Sequence, residues 1–170
     1  SAAQAEVALL RKRGSHTRLF ALTVFTVFLF AAPLSAEHIA LERLMVALGN
    51  LLIVGGGLIR VYAALFIGGW KNQRLAALGP YAMTRNPLYV GRILNFTGIA
   101  MLSGSWVFGA IIFLLTILIY ERISIYEEEY LREKFGAAHA EWAKDVPALL
   151  PRLHGWVTPK YPFWWKRMIW

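Results

Sequence analysis

The chain has 170 residues, enough for one domain, and 58% of them are hydrophobic, whereas soluble domains contain about 45–50% apolar residues. The formal net charge is +8 and there is no cysteine, which excludes disulfides, thiolate nucleophiles and cysteine-ligated metals. This composition indicates a membrane protein.

The basic residues lie beside the apolar segments. Fifteen of the 18 lysines and arginines fall in residues 11–18, residues 71–85 and the tail from residue 122 onward. This is the pattern of cytoplasmic flanks of membrane spans, and it argues against a nucleic-acid partner. The four histidines show no metal-ligand spacing, so we predict no metal site.

The N-terminal part consists of a basic lead-in, residues 1–18, and an uncharged apolar segment, residues 19–36. That segment approaches the roughly 20 residues that a membrane-spanning helix needs. The alternative is a signal peptide, which has the same outline of a basic segment followed by an apolar core. Residues 37–43, "EHIALER", are predicted to form a connection.

Three further apolar segments follow. Residues 44–70 are expected to form the second span. The glycine triplet 55–57 is expected to permit close helix packing; the alternative is that it loosens the helix. Residues 88–102 and 106–120, joined by "SGS", predict a helical hairpin. Because the sequence after residue 120 lacks glycine and proline until Gly136, we expect the fourth helix to continue to about Phe135.

These segments predict an all-α integral membrane protein with about four transmembrane helices and a cytoplasmic, helical C-terminal region. We expect both termini and the loop 71–87 to lie on the cytoplasmic side, because this orientation leaves only one basic residue of the connecting segments, Arg43, on the outer side. Residues 19–152 are expected to form the membrane-embedded domain. Residues 153–170, which are aromatic and basic, are expected to lie at the lipid headgroups.

The most constrained polar stretch is "GPYAMTRNPLYVGR", residues 79–92. Its two prolines fix two turns, and Pro87 suits the first turn of the third helix. Arg85 and the N-terminus of that helix are suited to holding an anionic group. The alternative is a rigid membrane-entry loop with a snorkelling arginine.

Two further polar features lie near the same predicted face. Glu127, Glu128 and Glu129 follow the fourth span; Glu128 lies on the apolar side of its helix, although most such charge runs are solvated. Arg60 and Arg92 lie inside nominal spans, where arginine is costly and often functional. Snorkelling to the interface is the alternative for both.

Two of these motifs together resemble the isoprenylcysteine carboxyl methyltransferase and phospholipid methyltransferase superfamily. Its pattern runs G-P-Y-x-x-x-R-H-P-x-Y-x-G, then E-E-x-x-L-x-x-x-F-G-x-x-Y-x-x-Y, then V-P and P. The matching residues are Gly79, Pro80, Tyr81, Arg85, Pro87, Tyr89, Gly91, Glu127, Glu128, Leu131, Phe135, Gly136, Val146, Pro147 and Pro151. Asn86 stands in place of the histidine, and His139 and Trp142 replace the two tyrosines.

The resemblance implies S-adenosylmethionine bound on the cytoplasmic side and S-adenosylhomocysteine as product. The residues expected to contact this cofactor are Gly79, Tyr81, Arg85, Asn86, Pro87, Leu88, Tyr89, Gly91, Glu127 and Glu128. Arg85, Arg92 and Glu128 are expected to act in catalysis. Arg60, Arg92 and Trp142 are expected to contact the substrate.

The expected methyl acceptor is a lipid or an isoprenoid-linked molecule, because the site opens at the bilayer surface. A carboxylate acceptor needs only placement, whereas an amine must lose a proton, for which Glu127 or Glu128 is a candidate base. The alternatives are an NADPH-dependent sterol or enone reductase, whose signature is similar, and a lipid-binding protein without catalysis.

Overall fold

The computed structural model describes residues 39–67, 75–152 and 157. Within these ranges the chain contains helices and no strand. The helices are α1 (Ile39–Ile67), α2 (Pro80–Met83), α3 (Pro87–Met101), α4 (Trp106–Phe135) and α5 (Ala137–Asp145). The predictions for residues 1–18 and 19–36, and almost all of the predicted tail 153–170, lie outside the described residues.

Helix α1 begins earlier than predicted. The sequence "IALER" belongs to its first turns, so the connection predicted over 37–43 is wrong from Ile39 onward. The physical reason is that alanine, leucine, glutamate and arginine are all good helix formers, and no glycine or proline interrupts them before Gly49.

The predicted hairpin is confirmed. Helix α3 begins at Pro87, the N1 position that proline favours, and α4 begins after Ser105, whose side-chain oxygen accepts a hydrogen bond from the Phe108 amide at 3.2 Å. Helix α4 then continues to Phe135, as predicted. At 1.5 Å per residue its 30 residues extend about 45 Å, which exceeds the roughly 30 Å of a bilayer core.

Helices α1 and α3 cross at two pairs of glycines. A Cβ atom added to Gly56 would lie 2.5 Å from the carbonyl oxygen of Gly91, and one added to Gly98 would lie 2.6 Å from the carbonyl oxygen of Gly49. Neither distance is compatible with a real side chain. The backbones therefore approach too closely at both points for any residue other than glycine, which confirms that glycine here serves helix packing.

The predicted triplet 55–57 contributes only its middle residue to this crossing. A Cβ added to Gly55 or to Gly57 would meet nothing within 4 Å. The difference arises because successive residues of a helix point about 100° apart, so one residue of a triplet faces α3 and its neighbours face away.

Helices α3 and α4 pack through aromatic and aliphatic side chains. Near the start of α3, the rings of Tyr89 and Tyr120 stack with centroids 5.0 Å apart, and Ile93 joins their buried cluster. Towards the hairpin, Ala100 and Phe108 form part of a second buried cluster. The first cluster holds the N-terminal end of α3 against the middle of α4, and the second holds the C-terminal end of α3 against the start of α4.

Among the helices of the described residues, two, α1 and α4, are long and apolar enough to cross a membrane. Large apolar side chains on both are exposed, among them Leu51, Leu58, Leu114 and Leu118. Such surfaces suit contact with lipid. Helix α3, with 15 residues, extends about 22 Å and is shorter than the bilayer core. The count of four spans and their orientation stay predictions.

Candidate functional site

The site begins with the turn that precedes α3. Gly79 has a φ of 60°, in the region that favours glycine, and a Cβ atom there would collide with the ring of Phe66. Pro80 follows at the start of α2, and Pro87 starts α3. The two prolines thus bracket a compact segment in which Tyr81 is buried and Arg85 is half-buried.

A C-terminal strap, residues 146–152, lies along this segment. The Arg85 amide donates to the carbonyl oxygen of Pro147 at 2.9 Å, and the Arg152 amide donates to that of Met83 at 2.9 Å. The Thr84 hydroxyl donates to the carbonyl oxygens of Ala148 and Leu149 at 3.1 and 3.2 Å. The strap therefore fixes the backbone on both sides of Arg85.

The acidic run on α4 meets the turn from the other side. The Arg85 guanidinium and the Glu128 carboxylate form an ion pair, with Nη1 and Oε2 2.9 Å apart. In the first turn of α3, the Tyr89 hydroxyl donates a short hydrogen bond to the Glu127 carboxylate. The two predicted motifs are therefore in direct contact, through the Arg85–Glu128 ion pair and the Tyr89–Glu127 hydrogen bond. Glu129, by contrast, is exposed and lies 3.6 Å from the exposed Arg132.

Asn86 connects three elements. Its side-chain amide donates to the Ser124 hydroxyl on α4 at 2.7 Å and to the Ala148 carbonyl oxygen of the strap at 3.1 Å. The side chain that stands in place of the family's histidine therefore acts as a hydrogen-bond donor between the turn, α4 and the strap. Neither Ser124 nor Thr84 was among the predicted site residues, because an isolated hydroxyl carries no sequence signal.

Replacing Asn86 by alanine is expected to destabilise the fold by about 1–3 kcal/mol, since the buried Ser124 hydroxyl loses the Asn86 donor and the Ala148 carbonyl oxygen keeps only the donor from Thr84. The midpoint of thermal unfolding in detergent, followed by tryptophan fluorescence, measures the loss. Asn50→Ala is the control, because Asn50 is exposed and its side-chain amide donates to the Val46 carbonyl oxygen of its own helix. Equal midpoints for the two variants would contradict the linking role of Asn86.

Three buried polar atoms at this junction have no hydrogen-bond partner within the described part of the chain: Arg85 Nε, Glu128 Oε1 and the Tyr81 hydroxyl. Burial raises the pKa of Tyr81, and the nearby Glu127 carboxylate and Tyr89 raise it further. Its hydroxyl therefore keeps its proton. Buried polar groups without partners are costly, so this arrangement suits a polar ligand that supplies both acceptors and donors.

The other predicted site residues occupy several places. Gly91 faces α1, where an added Cβ would lie 2.5 Å from Arg60 Cγ, so the close approach it permits is that of α1. Arg60 is exposed, and Arg92 and Leu88 are half-buried. Trp142 donates through its indole nitrogen to the carbonyl oxygen of Tyr81 at 3.2 Å, which ties α5 to α2.

A cleft of about 250 Å³ opens beside the ion pair, between α4 and α5. It is lined by Ile125, Glu128, Glu129, Arg132 and His139. His139 is 4% exposed and was not predicted as a site residue. No group of three histidine, aspartate or glutamate side chains suited to a metal occurs among the residues that the structure describes.

Comparison with known proteins identifies this arrangement. The phospholipid methyltransferase family matches residues 44–138, a range that contains the turn, the acidic run and the helices that bring them together. The chain belongs to this family. The resemblance read from the two motifs is thereby confirmed, and the chain is a membrane protein of a methyltransferase family.

Two curated relatives of this phospholipid methyltransferase family member are named as metal resistance proteins. The cobalt-zinc-cadmium resistance protein CzcN of Cupriavidus metallidurans is 34% identical over 110 residues, 65% of this chain and 50% of that protein. The nickel-cobalt-cadmium resistance protein NccN of Alcaligenes xylosoxydans xylosoxydans is 34% identical over 94 residues, 55% and 44% of the two chains. The chain spans about half the length of these relatives. No solved structure matches it.

Proposed function

We propose that the protein is an S-adenosylmethionine-dependent methyltransferase that transfers a methyl group to a lipid or isoprenoid-linked acceptor at the cytoplasmic face of the membrane. The observation that carries this proposal is the Arg85–Glu128 ion pair, which joins the turn before α3 to the acidic run of α4. Membership of the phospholipid methyltransferase family supports the reaction type.

The side chains at the junction fit the cofactor. The carboxylate of S-adenosylmethionine needs a cationic donor, which Arg85 provides through its partner-free Nε. Its ammonium and ribose hydroxyls need acceptors, and Glu128 Oε1 is one. Tyr81 and Tyr89 are buried at the junction, and we propose that the sulfonium contacts the ring of one of them, a contact worth about 0.5–2 kcal/mol. When bound, this cofactor supplies an electrophilic methyl group.

The protein's own contribution is placement. The strap and Asn86 fix the backbone of the turn, and Tyr89 fixes Glu127, so the polar groups are held before any ligand arrives. Methyl transfer is an in-line displacement, and its rate depends mainly on such alignment. The apolar, exposed flanks of α1 and α4 give a membrane-dissolved acceptor a route to the same end of the bundle.

Calorimetric titration of the detergent-purified protein with S-adenosylhomocysteine and, separately, with NADPH tests the proposal. We expect micromolar affinity for S-adenosylhomocysteine, an affinity reduced about tenfold or more in Glu128→Gln, and no binding of NADPH. Binding of NADPH alone would instead indicate the reductase. Transfer of radiolabelled methyl groups to extracted membrane lipids then identifies the acceptor class.

The names of the two relatives suggest a setting for this activity. We propose that methyl transfer by this protein contributes to resistance to divalent metals such as cobalt and cadmium. Growth of a deletion strain in graded cadmium, complemented with the native protein or with Glu128→Gln, tests it. Equal rescue by both would separate resistance from methyl transfer.

A further inference from the structure

Two arginines within the apolar helices have no partner. Arg60 lies on α1 and is exposed, and Arg92 lies on α3 and is half-buried. Neither makes a hydrogen bond or an ion pair with any residue that the structure describes. The one acidic residue of α1 and α3, Glu42, precedes Arg60 by 18 residues, about 27 Å along the helix. An unpaired arginine in such a helix is costly and marks a ligand site.

Both arginines lie on one flank of the crossing between α1 and α3. The Asn95 side chain on α3 donates to the Ile53 carbonyl oxygen on α1 at 2.7 Å, which marks the same flank on both helices. Arg92 lies one turn before Asn95, and Arg60 lies two turns after Ile53. Each arginine therefore points, to within about 60°, in the direction of a residue that bonds across the crossing.

The two side chains also lean toward each other. The glycine pairs of the crossing make α1 and α3 antiparallel, with Gly56 level with Gly91. A helical side chain leans toward the N-terminus of its own helix. Arg60, one turn beyond Gly56, therefore leans back toward the level of Gly91, and Arg92, next to Gly91, leans toward the level of Arg60.

The stem of Arg60 follows this direction. A Cβ atom added to Gly91 would lie 2.5 Å from Arg60 Cγ and 3.3 Å from Arg60 Cδ. The stem thus crosses over the glycine, away from the nearer end of α1 at Ile67. An arginine that snorkels extends toward the nearer helix end instead, so snorkelling does not describe the position of Arg60.

We propose that Arg60 and Arg92 together bind the phosphate of an anionic membrane lipid that is not the methyl acceptor. Two guanidinium groups that converge without a carboxylate suit a phosphate, which accepts paired hydrogen bonds from each. Both arginines lie within about 10 Å of the same end of the helix pair, in reach of lipid headgroups. Basic pockets between membrane helices bind anionic headgroups, whereas a zwitterionic headgroup brings a cation of its own.

This arginine pair is separate from the cofactor junction. Tyr89, whose hydroxyl contacts Glu127 on α4, points about 200° away from Gly91 on α3. Helix α3 therefore stands between them, with α1 and the arginines on one side and α4 and the junction on the other. A lipid phosphate on the α1 side can bind whether or not a cofactor is present.

Titration of the detergent-purified protein with dioleoyl phosphatidylglycerol, followed by native mass spectrometry, tests the proposal. We expect one retained lipid, bound at least tenfold more tightly than dioleoyl phosphatidylcholine. Arg60→Gln and Arg92→Gln should each lower the affinity for phosphatidylglycerol about tenfold or more, through the loss of charge-assisted hydrogen bonds. Arg43→Gln is the control, because Arg43 is exposed on the same helix and its replacement removes the same charge 17 residues from Arg60.

Thermal unfolding provides a second readout. Phosphatidylglycerol should raise the midpoint of the native protein by about 3 °C or more, because a ligand of the folded state stabilises it. Without lipid, Arg60→Gln should unfold at the native midpoint, since Arg60 has no partner to lose among the described residues. With phosphatidylglycerol, the midpoint of Arg60→Gln should not rise.

Equal affinities for the two lipids, or equal losses in Arg60→Gln and Arg43→Gln, would overturn this lipid site. An equal rise in midpoint with inorganic phosphate would assign the arginines to a free anion. Binding of phosphatidylglycerol only when S-adenosylhomocysteine is present would overturn the separation from the cofactor junction. Because the titration needs neither cofactor nor turnover, lipid binding and the proposed methyl transfer can fail independently.

Discussion

Arg85→Ala is expected to weaken the binding of S-adenosylhomocysteine about 10- to 100-fold and to lower the free energy of unfolding by about 2–3 kcal/mol. The expected loss of affinity follows from our proposal that Arg85 makes a charge-assisted hydrogen bond to the ligand carboxylate, which alanine cannot make. The loss of stability arises because the Glu128 carboxylate stays half-buried without its cation; the figure is below that of a fully buried pair because both side chains keep some exposure, 16% and 25%.

A double variant separates the two effects. In Arg85→Ala combined with Glu128→Gln neither charge remains, so most of the lost stability should return, with a coupling free energy of about 1–2 kcal/mol. The affinity for S-adenosylhomocysteine should not return, because the cation is still absent. Calorimetry and thermal unfolding in the same detergent measure both quantities.

The second ion pair near the site provides the matched control. Arg132 lies 3.6 Å from Glu129, both are more than half exposed, and an exposed pair of this kind contributes about 0–1 kcal/mol. Arg132→Ala should therefore leave stability nearly unchanged. If Arg85→Ala and Arg132→Ala behave alike in both measurements, the Arg85–Glu128 pair does not hold the site together.

Gly56→Ala is expected to destabilise the protein by about 1–3 kcal/mol, because its Cβ would lie 2.5 Å from the Gly91 carbonyl oxygen and 2.7 Å from Asn95 Nδ2. A backbone carbonyl cannot turn aside, so α1 and α3 must separate. Helix α3 carries Tyr89, whose hydroxyl contacts Glu127 on α4. The same change should therefore also weaken the binding of S-adenosylhomocysteine.

The neighbouring glycines are matched controls within the same helix. An added Cβ at Gly55 or Gly57 meets nothing within 4 Å, and alanine has the higher helix propensity by about 1 kcal/mol. Gly55→Ala and Gly57→Ala should thus be neutral or slightly stabilising. A midpoint of thermal unfolding that falls equally in all three variants would show that helix crossing is not what requires glycine at position 56.

The sequence by itself predicted the three longer helices of the described region, α1, α3 and α4, and the two motifs of the site. It predicted no separate helix for α2, which lies in the stretch read as turns, and no bounds for α5. Apolar runs and the absence of glycine and proline placed the hairpin of α3 and α4 and the continuation of α4 to Phe135. The prediction was wrong at the start of α1, because a few charged residues were taken as a connection although their helix propensity is high. These are local properties, carried by residues close together in the chain.

The tertiary structure decided which side chains meet. Asn86 bonds Ser124, 38 residues away, and Thr84 bonds the strap 64 and 65 residues away. It also brought His139 and Glu128 to the wall of one cleft, and it selected Gly56 from three successive glycines. No periodicity encodes such pairings, because they depend on how helices cross and on which hydrogen-bonding groups burial leaves without a partner.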